Sequence, residues 1–203
     1  MQNKEVSKSL KKFWKKFWFL VWKDDSWRGW IFSVLFLFIF IKFIFFPVLS
    51  LLTGTALPLA IVESCSMHHE GDFNEWWTKS ENWYENKQIS KEEFQEFPSK
   101  NGFEKGDIFF ILGTKKEDLK IGDVIVFEAG RQNPIIHRVV GLNPLQTKGD
   151  NWKTNSGQLG GEKNIKENQL IGKAIFKIAP YLGWGKLIFF EKLKPVSERG
   201  FCK

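Results

Sequence analysis

The stretch "PIIHRVVGL", residues 134–142, carries four β-branched residues and one histidine, with a proline at its start and a glycine near its end. Such a run reads as a buried strand, because β-branched side chains are at ease on a pleated surface. Successive side chains of a strand point to opposite faces, so His137 faces away from Ile136 and Arg138. Three further runs share this character: "DIFFIL" at 107–112, "DVIVF" at 123–127 and "QLIGKAIFKIA" at 169–179. Three pairs, Gly106-Asp107, Gly122-Asp123 and Gly149-Asp150, mark places where the chain turns and an Asp accepts hydrogen bonds from local amides. The expected fold class is mainly β, with one domain over residues 54–181.

Upstream the pattern changes. Residues 31–52, "IFSVLFLFIFIKFIFFPVLSLL", hold a single charge, Lys42, and as a helix rising about 1.5 Å per residue they cross a hydrocarbon core of about 30 Å. One transmembrane helix over 29–53 is expected, with a span displaced toward 43–62 as the alternative that Lys42 and Pro47 raise. Before it, Leu10, Phe13, Trp14, Phe17 and Val21 recur at helical spacing among lysines, the pattern of a basic amphipathic helix at an anionic membrane surface. Residues 1–28 carry a net +5, and the first lysine after the span is Lys79. The positive-inside rule therefore puts the N-terminal segment in the cytoplasm and the β domain outside. The apolar run is longer than the core of a cleaved signal peptide, which predicts an uncleaved anchor.

The overall charge of +7 is segregated, −7 over 63–128 and +8 over 129–203, so it does not describe a nucleic-acid footprint. Residues 70–105 form an acidic, aromatic insertion, with one short helix expected near Lys91 to Phe97, begun by Ser90 and supported by Glu93. The tail, 182–203, is too short in apolar content to span a membrane. It is expected to lie at the membrane surface, with Tyr181 and Trp184 as anchors, or to complete the core. Two cysteines, Cys65 and Cys202, give neither a disulfide framework nor a cysteine-based zinc spacing.

The chemistry concentrates in "VESCSMHHE", residues 62–70. His68, His69, Glu70 and Asp72 are conceivable metal ligands, but adjacent histidines on one loop rarely reach the same ion and no distant third ligand is evident, so no metal and no cofactor are expected. A serine hydrolase needs a hydroxyl, a base, a group that orients the base and oxyanion donors. Ser66, His137 and Asp150 offer such a set.

The apolar span followed in order by "VESCSM", "GDVIVF", "HRVVGL" and "TKGDN" resembles type I signal peptidases of the archaeal and endoplasmic-reticulum branch, over about residues 30–181. The resemblance implies a membrane-anchored serine endopeptidase that removes signal peptides from exported preproteins, in the cell membrane or an endoplasmic-reticulum-type membrane. It implies Ser66 as nucleophile, His137 as base where the bacterial branch has lysine, Asp150 as third catalytic residue and Ser64 as an oxyanion donor. Signal peptides, membrane lipids and the translocation machinery are the implied partners. Ser64 and Ser66 share a face if the segment is extended.

The sequence departs from the family pattern in three places: His68-His69 replace x-Pro after the Ser-Met pair, Cys65 replaces the Gly between the serines, and Ser156 stands where a second Asp often follows. Lys148 is an alternative base. A non-catalytic reading makes the β domain a binding module with Trp76, Trp77, Trp83 and Tyr84 as its contact surface, and another peptidase reading gives it a different class of membrane precursor.

Overall fold

The computed structural model describes residues 2–203, with side chains described from residue 6 onward, and it divides into two compact units, 1–52 and 53–203. In the first, α1 (Gln2–Trp22) is followed by α2 (Trp27–Phe40), whose N-terminus is capped by Ser26 accepting from the Gly29 amide. The two helices fold back along each other: Phe17 meets Phe32 and Phe36, and the Ser33 hydroxyl donates to the Val21 carbonyl at 2.7 Å. The basic amphipathic segment is thus helical as expected, and Phe17 and Val21 of its apolar stripe meet α2 while Leu10, Phe13 and Trp14 stay exposed. A π turn, Ile41–Phe45, leads into α3 (Phe46–Thr53) directly ahead of Pro47, whose ring and missing N–H disturb a regular ladder. Together Trp27–Thr53 form one helical run of 27 residues, long and apolar enough to cross a membrane. The displaced span is not formed, because Leu59–Ile61 is already a strand.

The second unit is built on an antiparallel sheet: β1 (Leu59–Ile61), then α4 (Phe73–Glu85) and α5 (Lys91–Gln95), then β2 (Ile108–Leu112), β3 (Val124–Phe127), β4 (Ile135–Leu142), β5 (Leu145–Lys148) and β6 (Leu170–Ala179), with α6 (Trp184–Leu187) after it. The spatial order is β1-β2-β6-β3-β4-β5. All four expected strands are present, and the mainly β class holds. Alternation sorts the core. Val124 and Val126 of β3 join Phe109, Ile111, Met67 and Phe103 in one cluster, while Ile125 and Phe127 join Val139, Leu145 and Ile165 in another. Gly106 and Gly122 take left-handed backbone, and Asp107 and Asp123 accept the Glu104 and Lys120 amides at 2.9 Å each, as turn chemistry requires.

The insertion holds a second helix beyond the expected one. Asp72 accepts the Asn74 and Glu75 amides and Glu75 reaches back to the Asp72 amide, a complete capping box that starts α4. Phe73, Trp76, Trp77, Ser80 and Tyr84 recur on one helical face. Trp76, Trp77 and Tyr84 are buried with Ile89, Phe94 and Val140, and Trp83 packs partly buried against them. The expectation of an exposed aromatic contact surface is therefore overturned: these rings form a satellite core.

The tail completes the domain. Leu187 is buried, the Trp184 indole donates to the Lys105 carbonyl at 2.9 Å, and buried Lys105 pairs with Glu191 and donates to the Glu198 carbonyl. Cys202 forms a single disulfide with Cys65, a bridge that the sequence reading, which found no disulfide framework, does not anticipate. A separation of 137 residues leaves no local signal for such a pairing. Trp76→Ala is expected to cost about 3–5 kcal/mol and Asp72→Ala about 1 kcal/mol. Denaturant unfolding of the full chain in detergent, followed by far-ultraviolet circular dichroism, measures both.

Candidate active site

Ser66 lies in a tight turn in which the His68 amide donates to the Cys65 carbonyl at 3.1 Å. The turn is pinned to the segment after β5: the Asn151 amide donates to the Ser66 carbonyl and the Asn151 side chain to the Cys65 carbonyl, both at 2.9 Å. Fully buried Met67 anchors it in the core, with its carbonyl accepting from the Phe103 amide at 3.0 Å. Gly149 is required by close approach, since a Cβ there would lie 2.7 Å from the Ser66 carbonyl oxygen. Ser64 and Ser66 bring their hydroxyls to 3.1 Å. Strand alternation was the expected cause; a turn produces the proximity instead.

His137 is buried on β4, opposite Ile125 of β3. On the other side Arg138 is opposite Lys148, so extending the antiparallel register by one residue sets His137 across from Gly149, the residue that abuts Ser66. The His137 Nδ1 is hydrogen-bonded to the Glu162 carboxylate. Glu162 is fully buried, and it also accepts from the Thr147 hydroxyl at 3.2 Å and the Leu159 amide at 2.6 Å. The Ser66 hydroxyl is bonded to Ser64, and no hydrogen bond joins it to His137 among the described residues.

Asp150 is placed elsewhere. Its carboxylate receives Arg138 Nε at 3.0 Å and Nη2 at 2.7 Å, the Tyr84 hydroxyl at 2.8 Å and the His69 ring at 3.1 Å. The structure does not bring Asp150, expected to orient His137, to that ring, and strand geometry is the reason. Arg138 and His137 are neighbours on β4 and face opposite sides of the sheet, and Asp150 belongs to Arg138's side. The residue that meets His137 is Glu162, which the sequence reading missed; its only signal was a carboxylate in the Gly-rich loop "GGEKN".

Burial opposes the Asp150 charge, yet Arg138, joined by the His69 contact, holds the carboxyl well below the usual range. Burial and then the Asp150 charge push the Tyr84 phenol well above its ordinary value, so it stays a donor. His69 stacks on Trp76 with ring centroids 3.7 Å apart. Glu70 pairs with Lys79 and Lys153 at the surface and Asp72 caps α4, so the ligand set first considered around His68 and His69 does not converge. His68 turns instead to Glu104, 2.6 Å away.

Lys148 donates to the Gly149 carbonyl at 2.7 Å and lies over the Trp83 and Tyr84 rings. Burial, with Arg138 adding to it, lowers its pKa to about 8 despite Asp150 and Glu162. Between pH 8 and 10 the unfolded chain binds this proton more fully than the folded one, so the group makes stability rise with pH across that window. Lys148→Met is expected to flatten the rise, read as the difference between wild-type and variant unfolding midpoints at pH 8 and pH 10.

No protein-family model matches the chain. It is similar to the signal peptidase complex catalytic subunit SEC11C of Homo sapiens, 28% identical over 96 residues, which cover 42% of this chain and 50% of that protein. It is likewise similar to the SEC11 catalytic subunits of Scheffersomyces stipitis, 34% over 101 residues (45% and 60%), and Lachancea thermotolerans, 36% over 94 (40% and 55%). The chain spans about half the length of the curated relatives it matches.

Proposed function

We propose that this protein is a membrane-anchored serine endopeptidase that cleaves signal peptides from exported preproteins. The observation that carries the proposal is the coupling of two elements: a Ser64–Ser66 hydroxyl pair on a turn pinned to residues 149–151, and a buried His137–Glu162 pair across from Gly149. The similarity to SEC11 catalytic subunits supports the same reading.

In this mechanism His137 Nε2 takes the Ser66 hydroxyl proton as the oxygen attacks the scissile carbonyl. Glu162 fixes the imidazole tautomer through Nδ1 and stabilises the imidazolium that forms. The Ser66 hydroxyl exchanges its Ser64 contact for His137 when substrate closes the site, which frees the Ser64 hydroxyl and the Ser66 amide for the oxyanion. Protonated His137 then returns its proton to the leaving amine, and water attacks the acyl-enzyme with His137 again as base. Arg138–Asp150 acts as scaffold.

The helical run ending at Thr53 lies only about a dozen residues before Ser66, which keeps the site near a membrane surface and raises the effective concentration of a membrane-bound substrate. The basic end of the chain is cytoplasmic and the peptidase domain faces an exterior or lumen. A Cys65–Cys202 disulfide agrees with that compartment.

Purified full-length chain in detergent, incubated with a preprotein, tests the assignment. Ser66→Ala and His137→Ala are expected to abolish cleavage, and Glu162→Gln to lower kcat on the order of 10³–10⁴-fold with KM unchanged. Asp150→Ala breaks a buried ion pair and is expected to cost about 3–5 kcal/mol of stability. Cleavage retained in Ser66→Ala overturns the mechanism, and cleavage that survives His137→Ala moves the base to Lys148. Full activity in Glu162→Gln, together with an inactive but folded Asp150→Asn, returns the orienting role to Asp150.

A further inference from the structure

His68 and Glu104 are not used by the proposed chemistry, yet they meet the disulfide. His68 Nδ1, a Glu104 carboxylate oxygen and Cys202 Sγ all lie within 4.8 Å of one another, and Cys65 Sγ is bonded to Cys202. All four residues are partly buried. They come from three rigid places and one tail: Cys65 and His68 from the two ends of the hydrogen-bonded Ser66 turn, Glu104 from the turn that Asp107 closes ahead of β2, and Cys202 from beyond the last helical turn.

We infer that these residues form a thiol-gated zinc site, closed to metal while the disulfide stands and open once it is reduced. Two thiolates, one imidazole and one carboxylate make up a four-coordinate donor set of the kind zinc takes in tetrahedral geometry. Metal–sulfur bonds of about 2.3 Å and metal–nitrogen or metal–oxygen bonds of about 2.0 Å hold tetrahedral ligand atoms roughly 3–4 Å apart. The sulfurs must therefore separate and His68 must part slightly from Glu104, now at 2.6 Å. Side-chain rotation on Cys202 and Glu104 supplies these movements.

The chemistry balances with a thiol as reductant. Two equivalents of a small thiol break the sulfur–sulfur bond, each cysteine sulfur gains one proton and one electron, and the reductant leaves as its own disulfide. Zinc then displaces the two cysteine protons and binds the thiolates. With the disulfide intact neither sulfur carries charge, and His68 and Glu104 alone are too few to hold the ion. The metal would sit between the two residues that bracket Ser66, Cys65 and His68, and so grip the turn that the disulfide otherwise ties to the tail. The inference does not depend on the peptidase reading, since its readout is metal content.

Full-length chain in detergent is prepared oxidised or reduced with a phosphine, freed of reductant under nitrogen, and dialysed against zinc, with metal and protein quantified. The expected result is about one zinc per reduced chain, with little or none on the oxidised chain. Cobalt in place of zinc should show a thiolate-to-metal charge-transfer band in the reduced chain only. His68→Ala, which leaves both cysteines in place, should weaken binding by about tenfold or more, and Cys202→Ser should abolish the charge-transfer band or reduce it to that of one thiolate. Reduced chain that retains no zinc, folded or not, overturns the inference. Equal zinc on the oxidised chain, or unaltered affinity in both variants, overturns it as well.

Discussion

The buried ion pair between Arg138 and Asp150 is the interaction on which the second unit depends. Neither side chain is exposed, and a charge taken out of water is tolerated only where nearly every donor and acceptor finds a partner. Arg138 spends its remaining N–H groups on the carbonyls of Pro98, Ser99 and Gly122, and its guanidinium lies over the Phe94 ring. Asp150 takes the Tyr84 hydroxyl and the His69 ring, and its carbonyl accepts the Trp76 indole at 3.0 Å. One pair thereby ties β4, the segment after β5, the loop that follows Ser66, α4, and the connections on either side of β2. The aromatic insertion is held to the sheet through this centre, which is why its rings are core.

That centre also decides which side chains the two faces of β4 can hold. Adjacent residues on β4 serve opposite faces: Arg138 and Val140 meet the aromatic satellite, while His137 and Val139 meet the side that holds Thr147 and Glu162. The Asp150 carboxylate is taken up by a guanidinium and two further partners on its own face. Glu162 Oε1 meets both His137 Nδ1 and the Thr147 hydroxyl, and its Oε2 accepts the Leu159 amide. The separation keeps the charged Arg138–Asp150 pair on one face of β4 and the His137–Glu162 pair on the other.

Legibility in the sequence followed how local each cause is. β2, β3, β4 and β6 announce themselves through runs of β-branched and aromatic residues, and the apolar helix through length alone. β1 has three residues and β5 reads "LQTK"; both exist because neighbouring strands offer a pairing edge, a cause that no window of sequence contains. α4 carries a readable capping box in Asp72 and Glu75, and its aromatics recur at helical spacing, but an aromatic-rich acidic segment reads equally as a contact surface until its rings are seen to be buried. Motif order is what singles out Ser66 and His137 as candidates, whereas the partner of His137 is a matter of which strand face a carboxylate reaches. Glu162 sits in a glycine-rich loop without strand or helix periodicity, and only the folded register reveals it.

The paired histidines after Ser66-Met67 stand where the pattern that the sequence resembles has a proline. A proline would restrict the backbone by its ring. Here the loop is restrained through side chains instead: His68 is held by Glu104, and His69 is stacked on Trp76 and bonded to Asp150. The difference has a physical consequence, since a proline's rigidity is covalent and unconditional, while this rigidity is borrowed from the buried ion pair and from the aromatic satellite. Gly102 marks the same dependence, for a Cβ there would press on the Met67 carbonyl at 2.4 Å and on the His69 ring at 2.6 Å. The geometry of the serine turn is therefore a property of the whole second unit, from the insertion that supplies Trp76 to the tail that supplies Cys202.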